Sequence, residues 1–264
     1  MNPLANFMNL ILNENMKIYR RTRTWIMFGF VLLIPLFVSL AVYLAGGNDL
    51  SGWSMMMTES YILYSLITVF AVVVAADSVA GEFTWGTIKL LLIRPWSRST
   101  ILLSKYVATL LFALFFTVSA FIVTLLFNML IFGLGDSALS STGLSNWEYA
   151  LRFYLLQFIT LIMIVTFGFT MSSAFRSGGL AIGLSIVFLF AGSMITNLFA
   201  LANKAWVKYV LFVHLDLTGY VDGGSGPIYS HPMTLGFSLA VLAVYFVLFN
   251  AVSWTVFRKR DVAA

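Results

Sequence analysis

The stretch between residues 77 and 106 holds the residue types that could bind another protein. Branched apolar side chains lie there beside basic ones, and we interpret residues 87–93 as a short helix that Pro95 ends. Such a helix has more apolar surface than water tolerates, so it docks either on a soluble partner or on this chain's own helices and lipid. The candidate docking residues are Glu82, Gly86, Thr87, Ile88, Lys89, Leu91, Arg94, Pro95 and Arg98.

Several of these residues have a local interpretation beside the docking one. Glu82 could cap the short helix or bond the partner, and Gly86 could be a hinge or a helix start. The basic side chains could pair with partner carboxylates or with lipid headgroups. Ser97 or Ser99 can cap the long helix that follows.

Catalytic chemistry is poorly represented in the rest of the chain. Cysteine is absent, which excludes disulfide frameworks and thiol nucleophiles, and His214 and His231 are too few for the usual zinc or di-iron site. No G-x-x-x-x-G-K-[ST] phosphate loop occurs, so this chain is not expected to bind ATP in the usual way. We therefore expect no enzyme active site and no metal site.

Polar and small residues inside the apolar stretches form a second group of candidates. Four amides could line a substrate path, although hydrogen bonds between helices explain them equally well. The spacing of Gly179 and Gly183 permits close helix approach, either at a dimer seam or within one chain. The amides are Asn128, Gln157, Asn197 and Asn250.

The composition shows which elements must position these residues. Apolar residues make up 61% of the chain and charged residues 9%, whereas a soluble domain has roughly 45–50% and about 25%. The chain must bury its exterior in lipid, and a helix needs about 20 apolar residues to cross. We predict an all-α integral membrane protein with six transmembrane helices. The apolar stretches are Trp25–Leu44, Ser60–Ala76, Val107–Phe132, Phe153–Ala174, Gly179–Leu201 and Met233–Phe257, and none contains a charged residue or histidine.

The distribution of lysine and arginine predicts the orientation. Twelve of the fifteen lie on one side of these stretches, and Arg152, Lys204 and Lys208 lie on the other. The positive-inside rule places the larger group, and both termini, in the cytoplasm of a multi-pass cell-membrane protein. The net charge of +5 is thus a topology signal, and no nucleic-acid partner is expected.

Two segments are neither spans nor simple loops. Residues 1–24 contain an amphipathic pattern, which predicts an interfacial elbow helix that either anchors the first span or also touches a partner. Its apolar face would include Ile11 and Tyr19, with Glu14 and Lys17 on the polar face. Between spans five and six, residues 202–232 predict an extracellular helical segment, re-entrant or interfacial, with both histidines at headgroup level.

The absence of charge inside the predicted spans bears on the energy source. Ion-coupled transporters usually keep an ionisable side chain within the membrane. Spans without one favour energy that enters from a separate soluble ATPase docked at residues 77–106. A passive immunity or sensor protein and an ion-coupled secondary transporter are the alternatives.

The order of elements resembles the membrane subunit of ABC-2-type ABC exporters, over essentially the whole chain. The loop between spans two and three is similar in detail, with a Gly-Glu step, a Gly-Thr helix start, a Pro-x-x-Arg stop and a lysine that opens span three. These features fall on Gly81-Glu82, Gly86-Thr87, Arg94-Pro95, Arg98 and Lys105.

The resemblance implies an assembly and a mechanism. Two such subunits, copies or homologues, would face each other in the lipid, and each would bind an ABC ATPase subunit through a coupling helix at Gly86–Ile93. ATP and Mg would be bound by that partner, with no cofactor in this chain, and closure of the ATPases would switch the cavity from inward- to outward-facing. An interior of amides, hydroxyls, Phe and Met suits an amphipathic or hydrophobic cargo, such as an antimicrobial peptide, a drug or a lipid-like compound.

Overall fold

The computed structural model describes residues 3–47, 49–88, 96–133, 135, 138–202, 204–224 and 233–259. Within them the regular structure is helical, without strands, and six helices are long and apolar enough to cross a membrane. This confirms the predicted all-α class and the six spans. The helices are α1 (Pro3–Tyr19), α2 (Thr22–Leu44), α3 (Gly52–Thr84), α4 (Arg98–Ile131), α5 (Asn146–Ala174), α6 (Gly178–Ala202) and α7 (Leu235–Lys259).

Most helices extend beyond the predicted apolar stretches. Helix α3 begins eight residues before Ser60 and ends eight after Ala76, and it includes Glu59. The apolar stretch Ser60–Ala76 is therefore the centre of a longer helix that also contains Glu59, Asp77 and Glu82. Hydropathy marks only the apolar centre of a helix, whereas a polar residue continues the helix when the bundle supplies it with a partner.

Helices α3 and α5 are the most buried helices of the bundle. Helix α3 packs against α4, α5 and α6, and α5 also packs against α7. The core contains large aromatic side chains from α4 and α5, among them Phe112, Phe116, Phe153 and Phe169. Helices α2, α6 and α7 instead turn apolar side chains outward, such as Phe37 and Val187, as a surface in contact with lipid requires.

The two ends of the bundle differ in charge. At one end α2, α4 and α6 begin and α3, α5 and α7 end; this end carries Arg21, Arg98 and Lys259, and we call it the basic end. At the opposite end the Gly52 N–H donates to the Gly133 carbonyl at 3.2 Å. A Cβ atom on Gly52 would lie 2.3 Å from that oxygen, so glycine lets the start of α3 meet the end of α4.

The segment after α6 was predicted to be helical, and it forms three short 3₁₀ helices, Ala205–Tyr209, Leu211–His214 and Thr218–Tyr220. The Asp222 carboxylate accepts hydrogen bonds from the Ser141 N–H at 2.8 Å and the Thr142 hydroxyl at 2.6 Å, which fixes this segment to the loop after α4. Hydrogen bonds from Ser140, Thr142 and Ser141 hold the pKa of Asp222 below its ordinary range.

His214 is buried inside this segment. It is 1% exposed, and its Nε2 donates to the Lys208 carbonyl at 2.7 Å. Its Nδ1 lies 2.9 Å from the Ser238 hydroxyl, which Tyr220 also contacts. Burial lowers the pKa of His214, so the imidazole is a neutral structural group. His231 lies outside the described residues.

Candidate docking site at the basic end

Four charged side chains at the basic end form what we call the ionic cluster: Glu14, Lys17, Glu82 and Lys105. Lys105 of α4 is 2% exposed, and its Nζ lies 2.8 Å from Glu14 Oε2 and 2.9 Å from Glu82 Oε1. Lys17 Nζ lies 2.8 Å from Glu14 Oε1 and 2.9 Å from Glu82 Oε1. Two cations and two anions thus join α1, α3 and α4 with no net charge.

Electrostatics inside the ionic cluster outweigh desolvation. Burial alone would raise the pKa of Glu14, but Lys105 and Lys17 hold it below its ordinary value. Burial alone would lower the pKa of Lys17, but Glu14 and Glu82 raise it. Glu14 was expected on the polar face of a surface helix, and the structure places it against α4, where Tyr19 also packs on Phe112 and Phe115.

A second set of charges fixes α3 to the start of α2. The Asp77 carboxylate accepts a hydrogen bond from Arg23 Nη2 at 2.8 Å and another from Arg21 Nη1. Both arginines lie near the turn between α1 and α2. The end of α3 is therefore joined by charged groups to α1, α2 and α4.

An open cavity of about 750 Å³ lies between α1, α3 and α4. Its lining includes the ionic cluster, the Asp77 group and the indole of Trp85. Trp85 follows α3 directly and is 75% exposed, which is unusual for so large an aromatic side chain. The sequence analysis did not single out Trp85; its position next to Gly86 was the available signal.

The structure shows the local contacts of some of the predicted docking residues. Gly86 has φ +69°, and its N–H donates to the Phe83 carbonyl at 3.2 Å, so it forms part of the turn that ends α3. The Thr87 hydroxyl donates to the Glu82 carboxylate. Ile88 is 5% exposed and packs in the core, so its apolar surface is used within this chain. Lys89, Leu91, Arg94 and Pro95, with most of the predicted helix 87–93, lie outside the described residues.

The start of α4 agrees with one of the two predicted caps. Ser97 is the N-cap, and its hydroxyl oxygen accepts a hydrogen bond from the Thr100 N–H at 3.1 Å. Arg98 is the first residue of the helix, and its Nη1 donates to the Arg258 carbonyl at 3.3 Å. A cation beside the C-terminal carbonyls of α7 is favourable, so Arg98 connects α4 to α7.

A buried serine contacts the backbone of α3 just before the ionic cluster. Ser172 Oγ of α5 accepts hydrogen bonds from the Val79 N–H at 2.9 Å and the Ala80 N–H at 3.0 Å. A side chain that takes up helix N–H groups competes with the carbonyls four residues earlier, which is a known cause of helix bending. No sequence pattern indicated this contact, because Ser172 is an ordinary residue of an apolar helix.

Comparison with known proteins places the whole arrangement in one family. Residues 15–263 match the family described as "Protein of unknown function (DUF2705)". The chain belongs to the DUF2705 family. It is 33% identical to "Uncharacterized protein YhcI" of Bacillus subtilis (strain 168), over 97% of this chain and 99% of that protein. It is 30% identical to "Uncharacterized membrane protein YdbK" of the same organism, over 94% and 99%.

The matched region of this DUF2705 chain includes α2 to α7 and all the contacts of α3 described above. A relative described as a membrane protein agrees with the candidate spans. The chain is a multi-pass membrane protein.

The four amides of the DUF2705 chain have different environments. Asn128 is fully buried and bonds to Glu59 and Thr124. Asn250 donates to the Phe246 carbonyl of its own helix at 2.9 Å. Gln157 is half-buried and Asn197 is exposed. The described contacts do not bring the four amides together along one path. Asn128 instead has a structural role, because its hydrogen bonds connect it to neighbouring groups of the bundle.

Gly179 and Gly183 of the DUF2705 chain lie on an exposed face of α6. A Cβ atom on Gly183 would meet nothing within 4 Å, and one on Gly179 only the Ser177 hydroxyl at 3.9 Å. Close packing against another helix of the same described chain is therefore not their role. Leu180, Val187 and Met194 are exposed on the same helix.

Proposed function

We propose that the protein is the membrane-spanning permease subunit of an ATP-driven exporter of the ABC-2 type, with the basic end in the cytoplasm. The excess of Lys and Arg at that end supports the orientation. The lengths of α3 and α4, which have 33 and 34 residues, support the proposal of a surface outside the membrane where a partner could bind. At about 1.5 Å per residue each helix is some 50 Å long, so part of it extends beyond a hydrocarbon core of about 30 Å.

The ionic cluster is the observation that carries the proposal. Glu82 lies between the membrane part of α3 and the segment where a soluble partner would bind. Because Glu82 bonds to Lys17 and Lys105, a force on that segment acts on α1 and α4 as well as on α3. Rigid-body movement of packed helices is a common response to such a force.

The contact of Ser172 with α3 provides a place for this movement. The N–H groups of Val79 and Ala80 in α3 both donate to Ser172 Oγ of α5, so the last turn of α3 can change direction without unfolding the span. The turn beyond carries Glu82 and ends at Thr84.

We extend the surface that would meet the ATPase to residues beside the predicted docking residues. Ile88 faces the core, whereas Trp85 is exposed beside the 750 Å³ cavity. A tryptophan between partly exposed cations suits a partner surface with an apolar recess and carboxylates. Trp85, Lys17 and Arg21 are therefore the contact residues in the described part of the chain.

The exposed glycine face of α6 supports assembly with a second copy or a homologous permease. Small residues let two helices approach closely in lipid, and Gly179 and Gly183 leave open space on that face. The cargo would be an amphipathic or hydrophobic compound that passes between the two subunits.

Binding of the ATPase tests the proposal. We expect a gene for an ABC ATPase beside the gene for this chain, and co-purification of the two proteins after co-expression. Trp85→Ala should raise the Kd about thirtyfold, since a central interface tryptophan contributes about 2 kcal/mol. Trp206→Ala, also at an exposed tryptophan but at the opposite end, is the matched control. Equal loss in both variants, or no association of the unaltered proteins, would refute the proposal.

One observation favours a second candidate, an ion-coupled secondary transporter. Glu59 is a buried carboxyl inside α3, and such groups bind protons or cations in these transporters. Transport driven by an ion gradient without nucleotide would decide for this candidate.

A further inference from the structure

Glu59 connects three helices near the end of the bundle opposite the basic end. The residue is fully buried, seven positions after the start of α3. Its Oε1 lies 2.5 Å from Ser39 Oγ of α2, and its Oε2 lies 2.5 Å from Asn128 Nδ2 of α4. Among the residues that the structure describes, no lysine, arginine or histidine forms an ion pair with Glu59.

An ionised carboxylate in this environment would be unfavourable. Burial without a cationic partner disfavours the charged form of a carboxyl group. A titratable group of α5 nearby is the phenol of Tyr154, which lies 3.3 Å from Thr124 Oγ1 and 2.7 Å from Ser60 Oγ. A phenol is neutral at physiological pH and supplies no positive charge.

The hydrogen-bond geometry distinguishes the two protonation states. Asn128 Nδ2 also donates to the Thr124 carbonyl at 2.9 Å, and a carbonyl can only accept, so the orientation of the amide is fixed. Ser39 Oγ lies 2.5 Å from Glu59 Oε1 and 3.3 Å from Asn128 Oδ1. If Glu59 is ionised, Glu59 Oε1 and Asn128 Oδ1 are both hydrogen-bond acceptors. The hydroxyl group of Ser39 has a single proton, which it can donate to only one of these two atoms.

A proton on Glu59 removes this conflict. Glu59 Oε1–H donates to Ser39 Oγ, the Ser39 hydroxyl donates to Asn128 Oδ1, and Asn128 Nδ2 donates to Glu59 Oε2. The three groups then form a closed ring in which every donor has an acceptor. Buried polar networks are stable when all their members are bonded in this way.

We infer that Glu59, Ser39 and Asn128 form an intramembrane proton-binding site, occupied when α2, α3 and α4 are in contact. The bound ligand is one proton on Glu59 Oε1. Movement of α2 or α4 away from α3 breaks the ring and admits water, and the proton then passes from the carboxylic acid to water. The site thus stabilises the closed arrangement of these helices, whatever supplies the energy for opening.

Carbon-13 labelling of glutamate carboxyls tests the site directly, because the chain has only four glutamates, at positions 14, 59, 82 and 148. We expect solid-state NMR of the protein in lipid at pH 7 to show one protonated and three ionised carboxyls. The protonated signal should disappear in Glu59→Gln and persist in Glu148→Gln, whose carboxylate pairs with exposed Arg152. Gln can keep the ring by donating to Ser39, so this variant should fold.

The measurement does not depend on transport or on an ATPase, so its failure is separate from failure of the proposed function. Four ionised carboxyls in the unaltered protein would overturn the inference. A protonated signal that remains in Glu59→Gln would do the same. If Glu59→Gln does not assemble, Ser39→Ala decides: loss of the acceptor must shift the protonated signal, and an unchanged signal would contradict the ring.

Discussion

Lys105 of α4 lies 2.9 Å from the Glu82 carboxylate of α3 and is 2% exposed. The pair joins the two longest helices at the level where α3 ends and α4 begins. Lys105 also bonds to Glu14, so one ammonium group connects three helices. This contact gives the segment after α3 a direct connection to the rest of the bundle.

Neutralising Lys105 should destabilise the protein strongly. Lys105→Met keeps the length of the side chain but leaves the buried Glu14 and the half-buried Glu82 with Lys17 alone, and breaking a buried pair costs about 3–5 kcal/mol. Arg152→Met is the matched control, because its ion pair with Glu148 is exposed and worth about 0–1 kcal/mol. Thermal unfolding in detergent should show a large fall in midpoint for the first variant only. Equal midpoints would mean that the ionic cluster has no structural role.

The ionic cluster should also limit stability at both extremes of pH. The pKa of Glu14 is below its ordinary 4.5, so its contribution is complete above pH 4.5 and is lost as the pH falls through the folded value. The pKa of Lys17 is above its ordinary 10.5, so its contribution is complete below pH 10.5 and is lost as the pH rises through the folded value.

Glu14→Gln tests the predicted loss of stability at low pH. We expect the variant to be less stable at neutral pH and to lose part of the decline in unfolding midpoint below pH 4.5. Glu148→Gln, in an exposed pair, should keep the decline. If the unfolding midpoint of Glu14→Gln declined below pH 4.5 as in the unaltered protein, the buried carboxylate would not be responsible for that decline.

The hydroxyl of Ser172 should control the dynamics of α3 at one place. In Ser172→Ala the N–H groups of Val79 and Ala80 lose an acceptor worth about 1 kcal/mol, so their hydrogen exchange should become about fivefold faster. Ser185→Ala is the control, because that buried hydroxyl donates only to the carbonyl of Ala181 in its own helix. Exchange measured by mass spectrometry on peptides covering residues 75–84 provides the readout. Unaltered exchange there would exclude a flexible point at Val79.

The absence of cysteine allows a direct test of the α6 face. A single cysteine in Val187→Cys should form a disulfide-linked dimer in oxidised membranes, because the exposed face with Gly183 lets two copies approach closely. Val247→Cys, at a similarly exposed valine of α7, should remain monomeric. Crosslinking at position 247 and not at 187 would contradict an interface at α6 and would show that the dimer forms through α7.

Hydropathy and charge were sufficient to predict the helical class and the centres of the spans, because lipid requires long apolar helices. They could not predict the partners of polar residues. Glu59 is two turns inside α3, but its position at the margin of an apolar stretch hid it. Ile88 and Trp85 are both apolar and both lie close to Gly86 in the sequence. Ile88 is buried and Trp85 is exposed because of the turn that ends α3, which the sequence pattern does not reveal. The contact of Ser172 with the α3 backbone depends on how α3 and α5 are aligned along each other, and a single sequence does not specify this alignment.

The energy source is the central claim, and transport into vesicles tests it most directly. The protein would be reconstituted with the ABC ATPase that the proposal expects as its partner, and uptake of a fluorescent amphipathic peptide would be followed together with ATP hydrolysis. We predict that uptake requires ATP, that the protein stimulates hydrolysis, and that uptake persists when ionophores collapse the proton and sodium gradients. Uptake driven by a proton or sodium gradient in the absence of nucleotide would contradict the account.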